Sequence, residues 1–107
     1  MTALPFDPEK SHRETLRWLI LLTLNVARPL GAGETLLLDT VRQAVPDCTP
    51  RELRAELDYL EERELLHIEN RDGPQWRAKL TRIGIDVAEY TVPCDPGIAR
   101  PAKYWGG

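Results

Sequence analysis

Two groups of cations carry the clearest chemical potential in this sequence. Arg51 and Arg54 stand three residues apart, and Arg71, Arg77, Lys79 and Arg82 fall within residues 70–82, where Asp72 is the one acid and the net charge is +3. Side chains so placed can hold phosphates or read guanine edges. The other reactive types are poorly supported. Acid–base catalysis needs a carboxylate with a partnered group and a pocket; Glu61, Glu62 and Glu64 have no histidine partner and read as a solvated helix end. His67 projects from a predicted strand opposite Lys79 and reads as a surface residue. Cys48 precedes a predicted helix start, where its thiol pKa could be lowered, although a buried, inert thiol suits the same place. Cys48 and Cys94 lie far apart without C-x-x-C spacing, as expected of free thiols in a reducing cytoplasm. His12 and His67 are the only histidines and neither adjoins a cysteine, which argues against zinc. With no G-x-G-x-x-G or P-loop, no catalytic residue, metal or cofactor is expected.

Local periodicity says which elements must hold these side chains. Ser11 and Glu14 have capping-box spacing and predict a helix over 12–28. Its inner stripe is Leu16, Leu19, Ile20, Thr23, Leu24 and Ala27, while Trp18, Leu21, Leu22 and Val26 widen the apolar arc beyond one face. Either another part of the chain covers that second side, or it is a homodimer or partner surface. Pro29 ends the helix, Gly31 and Gly33 shape a loop, and Leu37, Val41, Ala44 and Val45 predict a second helix over 34–45. Thr49-Pro50-Arg51-Glu52 combines an N-cap, a first-position proline and a capping box, and starts a third helix reaching about residue 63 with Leu53, Leu57 and Leu60 inward. Four residues separate these two helices, the spacing of a helix-turn-helix.

Beyond residue 65 the period becomes two. Leu66 and Ile68 alternate with His67 and Glu69, and Trp76, Ala78 and Leu80 alternate with Arg77, Lys79 and Thr81. A hairpin with one apolar face requires an odd loop, satisfied by Asp72, Gly73 and Pro74, which sets Glu69 opposite Arg77 and His67 opposite Lys79. Thr81 caps a short helix over 82–90, and Pro93, Pro96 and Pro101 keep the remainder non-helical.

The 107 residues make one domain: a loose head at 1–10, an ordered body at 11–91 and a proline-rich tail at 92–107. An apolar content of 42% suits an ordinary globule needing neither disulfide nor metal. The longest apolar run, Trp18 to Leu22, has five residues where a span needs about 20, and the N-terminus lacks a basic signal region, so no membrane partner and a cytoplasmic location are expected. The net charge of -3 gives no overall attraction to nucleic acid.

Helix, helix, turn, helix, two-stranded wing and final helix is an order that resembles the winged helix-turn-helix superfamily. The expected fold class is therefore mainly α with a small β-hairpin: a three-helix core, a wing and a short C-terminal helix. Residues 51–61 look like the third helix of that superfamily, and Leu80-Thr81-Arg82-Ile83-Gly84 resembles its L-T-x-x-G after the wing. Glu64 stands where the superfamily commonly has glycine, and a left-handed glutamate costs about 1 kcal/mol, so a different helix exit is expected. The stretches 84–88 and 96–101 look like small winged-helix-like proteins of Mu-like phages and prophages, which implies a prophage protein in a bacterial host but no particular activity.

The resemblance implies double-stranded DNA as partner, with the third helix in the major groove and the wing on phosphate. Arg51, Arg54, Arg71, Arg77, Lys79 and Arg82 are then the DNA-binding residues. Against it, residues 49–64 hold three arginines and six acids, a net of -3 that repels phosphate, and both the arginines and the wing cations can be absorbed by surface pairs such as Glu69–Arg77. Alternation puts Trp76 in the core instead of on a base. The competing expectation is a protein-interaction module on the same scaffold, binding a phage protein or a second copy through Trp18, Leu21, Leu22 and Val26, with an aromatic tail ending in Tyr104 and Trp105.

Overall fold

A computed structural model describes residues 7–103 as four helices around one small antiparallel sheet. The order is α1 (Pro8–Val26), β1 (Ala32–Gly33), α2 (Glu34–Val41), α3 (Pro50–Glu62), β2 (Leu66–Glu69), β3 (Arg77–Leu80) and α4 (Arg82–Ala88). Among the described residues no helix is long and apolar enough to cross a membrane.

Asp7 starts α1, accepting hydrogen bonds from the N–H groups of Glu9 and Lys10 ahead of a first-position Pro8. An aspartate before proline uses the same capping physics as Thr49-Pro50, so the helix begins upstream of Ser11 and its expected capping box. Residues 8–10 of the supposed loose head are thus helical, and 1–6 lie outside the described residues. The second helix stops at Val41, four residues before the predicted end. Arg42 leaves it to donate from Nε to the Cys48 carbonyl at 2.8 Å, and Ala44 ends up exposed in the turn.

The third helix begins as its sequence predicts, with the Thr49–Glu52 capping box complete. Its exit corrects an expectation. Glu64 does adopt the left-handed conformation, φ 63°, and the N–H groups of Leu65 and Glu64 bond the carbonyls of Leu60 and Glu61 at 3.0 and 2.8 Å. Those paired closures form a Schellman motif, and burial of Leu65 beside Leu60 in the core offsets the strain.

The β2–β3 register is the predicted one, Leu66 on Leu80 and Glu69 on Arg77. The ladder stops there, so the connection is residues 70–76 rather than three residues, closed by Asn70 Nδ2 donating to the Gln75 carbonyl at 2.9 Å. The expected two-stranded wing is also incomplete: β1 pairs with β3, Ala32 on Ala78, giving the order β1-β3-β2. Leu16, Ile20 and Leu24 of α1, Leu37 and Val41 of α2, and Leu53, Leu57 and Leu60 of α3 enclose the core against Leu66 and Ala78.

Thr81 explains the L-T-x-x-G stretch physically. Its hydroxyl donates to the Glu64 carbonyl at 2.6 Å and accepts from the Gly84 N–H at 3.1 Å, tying the α4 start to the α3 exit. A Cβ at Gly84 would collide with the Leu65 carbonyl oxygen. After α4 the chain is non-helical and docks. Arg17 Nη1 donates to the Gly97 carbonyl, Ala99 N–H to the Glu14 carbonyl, and Arg100 Nη1 to the carbonyls of Val87 and Val92. Tyr104 and Trp105 lie outside the described residues.

Candidate functional site

The six predicted cations do not form one surface. Arg54 points toward α2, where Nε and Nη2 meet the two Glu34 carboxylate oxygens at 2.6 and 2.7 Å. Glu34 is buried and also accepts the Trp76 N–H, which joins α2, α3 and the β2–β3 hairpin through one carboxylate. The Arg54 guanidinium holds the Glu34 carboxyl below its usual pKa, overcoming desolvation. Arg71 folds back onto α3, with Nη2 2.7 Å from Asp58 and 2.8 Å from Glu61. Both guanidiniums lie over the Trp76 ring, at 4.4 and 4.6 Å from its centroid. Trp76 is buried as expected, and two of the proposed DNA contacts are its neighbours.

Arg71 is nonetheless exposed, as are the remaining four. Arg51 and Lys79 have no ion-pair partner among the described residues, and Arg82 stands 3.8 Å from Asp86 with its side chain 88% exposed. The Glu69–Arg77 pair does not form; Arg77 Nη2 instead donates to the Leu30 carbonyl at 2.9 Å, beside the β1 strand the sequence reading missed. Arg28, which sequence reasoning passed over, joins Lys79 around a shallow groove with Pro29, Leu80 and Ile85.

The acidity of α3 is likewise absorbed internally. Glu52 sits 2.9 Å from His12 Nε2, and that hydrogen bond leads the effects lowering its pKa. Glu56 is buried and takes Arg17 Nε at 2.7 Å, with the same guanidinium 3.5 Å from the Tyr59 ring centroid. Glu61 has the histidine partner its sequence context did not suggest, His67 Nδ1 at 3.5 Å; burial opposes its ionisation, but the Ile68 N–H, Arg71 and His67 outweigh it and hold the pKa low. Burial raises the Cys48 thiol, so the adjacent helix start does not activate it, and it also raises Cys94.

The proposed partner surface divides. Trp18 and Leu21 are buried, which corrects their assignment: Tyr90 packs edge-on against Trp18, with ring centroids 5.8 Å apart, so the chain itself covers that side of α1. Leu22 and Val26 remain exposed. They face an open groove of about 470 Å³ between α1 and α2, completed by Leu19, Thr23, Ala27, Leu36 and Thr40. None of these side chains ionises. Both threonine hydroxyls donate within their own helices, to the carbonyls of Leu19 and Leu36 at 2.8 Å each. Leu36 was legible as an aliphatic residue off the Leu37–Val41 stripe, a signal that sequence reasoning overlooked.

Among the described residues, no group of three or more His, Cys, Asp or Glu side chains is placed to hold a metal ion. No family model matches the chain, and neither a curated protein nor a solved structure matches it.

Proposed function

We propose that this chain is a non-enzymatic protein-interaction module on a winged-helix scaffold, docking its partner in the α1–α2 groove. The scaffold reading is supported by the element order, the helix-turn-helix spacing and the hairpin that packs back on α3. The functional reading is carried by the groove: exposed Leu22, Val26 and Leu36 around a surface with no ionisable group. Exposed apolar surface of this kind marks an interaction site. The resemblance of residues 84–88 and 96–101 to small proteins of Mu-like prophages supports a phage protein as the partner. Co-purification of wild type, Leu36→Glu and Arg77→Glu/Lys79→Glu proteins from cells expressing the surrounding genes tests this. A protein retained by wild type and the wing variant but lost by Leu36→Glu is expected; retention by all three overturns the groove assignment.

A second reading, double-stranded DNA, is favoured by Arg28, Lys79, Arg77 and Arg82, whose charges among the described residues have no close carboxylate beyond the 3.8 Å Arg82–Asp86 pair. Three or four phosphate contacts give modest, strongly salt-dependent affinity. Fluorescence anisotropy of a duplex of about 25 base pairs at low and physiological salt distinguishes the readings. The interaction-module reading expects no binding. Saturable binding lost in Arg77→Glu/Lys79→Glu would establish the DNA reading instead.

A further inference from the structure

We infer that the cavity where α2, α3 and the β2–β3 hairpin meet binds a small organic carboxylate with an apolar body. It is separate from the α1–α2 groove, so this goes beyond the interaction-module reading and does not depend on it. The cavity is open and measures about 510 Å³, within the range of small-molecule sites. Each element brings one polar side chain to its wall: Thr35 from the first turn of α2, Arg51 from the first turn of α3, and Gln75 from the hairpin connection. Among the described residues, none of these three side chains has a hydrogen-bond or ion-pair partner. For Thr35 the reason is position. Thr23 and Thr40 donate to carbonyls four residues back in their helices, whereas four residues before Thr35 the chain is not yet helical.

The other charges at the wall are already balanced. The Glu34 carboxylate receives Nε and Nη2 of Arg54 together with the Trp76 N–H, and that guanidinium lies on the Trp76 ring. Glu52, next to Arg51 in sequence, is engaged by His12 and by its own capping box. Arg51 is thus the one unbalanced charge among the lining residues, and a single free guanidinium suits a monoanion. Its planar fork of N–H donors matches the two oxygens of a carboxylate, whose remaining lone pairs can take the Thr35 hydroxyl and the Gln75 NH2 as donors. Pro50, Leu38, Leu53 and Pro74 supply an apolar lining for a hydrocarbon body. Inorganic phosphate carries no such body, and its second negative charge meets no second free cation among those residues.

Nitrogen-15 NMR of the full chain titrated with benzoate tests the inference. Benzamide serves as the neutral probe of nearly the same shape, and inorganic phosphate as the anion without a hydrocarbon body. Benzoate should shift the Arg51 Nε–H and Gln75 side-chain NH2 signals saturably, with half-saturation at about 1–10 mM. Benzamide and phosphate should each bind at least about tenfold more weakly. Arg51→Gln, at an exposed side chain, should weaken benzoate at least about tenfold with the backbone spectrum otherwise native. Gln75→Ala should weaken it about two- to fivefold, and Arg82→Gln, at an exposed cation outside the cavity, should leave it unchanged. The benzamide and phosphate comparisons need no variant and so do not depend on how the substitutions fold. No saturable shift at Arg51 and Gln75 up to about 50 mM benzoate overturns the inference. So does benzamide or phosphate binding as tightly as benzoate, or benzoate binding that survives Arg51→Gln. None of these outcomes bears on docking at the α1–α2 groove, which Leu36→Glu tests separately.

Discussion

At the scale of single residues, backbone geometry sets the clearest expectations. Glu64 occupies a left-handed conformation at φ 63° that most side chains resist, yet its carbonyl and N–H serve the α3 exit. Glu64→Gly should therefore raise stability by about 1 kcal/mol, the strain relieved less the entropy added to the unfolded chain. An unchanged or lower urea midpoint would contradict this. Gly84 presents the opposite case. Its Cβ position is filled by the backbone oxygen of Leu65, which no rotamer change can move, so Gly84→Ala should cost about 1–3 kcal/mol by the same measurement. The two positions differ in how visible they are in sequence. Glycine at 84 advertises a need for space, whereas glutamate at 64 conceals a glycine-like conformation behind the wrong side chain.

At the scale of elements, the β2–β3 hairpin is held to the helices by carboxylates. Glu34 receives Arg54 and the Trp76 N–H, and Glu61 receives Arg71 and the Ile68 N–H. Glu34, Glu61 and Glu52 all have folded pKa values below the ordinary 4.5. A carboxyl depressed on folding contributes stability that is complete above its unfolded pKa and lost as pH falls through the folded one. Stability should thus be flat above about pH 5 and fall below about pH 4.5, with a shallower fall in Glu34→Gln. Tryptophan fluorescence should report the same window, and equal acid sensitivity in the variant would remove Glu34 from this role. The hairpin register was readable because alternation over eight residues allows only odd loops, and a loop of Asp72, Gly73 and Pro74 meets that while keeping the proline out of the ladder. The β1 strand was not, since two residues carry no period and pair only because β3 presents a free edge.

At the scale of the whole molecule, one half-buried guanidinium binds three parts of the chain. Arg17 of α1 meets Glu56 of α3, the Tyr59 ring and the Gly97 carbonyl of the tail. Gly97 has φ 106°, and a Cβ there would strike the Tyr59 hydroxyl. Gly97→Ala should loosen the tail while leaving the helices intact. The Ala99 amide, which donates to Glu14 in the docked tail, should then exchange at least about tenfold faster. Unchanged exchange would show that Arg100 and Tyr90 hold the tail alone.

The sequence by itself determined what depends on neighbours a few residues away: the α3 capping box, the inward leucines, the hairpin register and the Thr81 cap. Those follow from period and hydrogen-bonding geometry that act within one element. The tertiary structure decided which charges and which apolar residues remain available. Arg54 and Arg71 are absorbed by Glu34, Asp58 and Glu61, and Trp18 and Leu21 are covered, while Leu22, Val26 and Leu36 come together from two helices as one groove. Coulomb attraction and burial act between groups brought close by folding, over separations of 20 to 42 residues for the Glu34 bonds alone, and no local pattern encodes such a meeting.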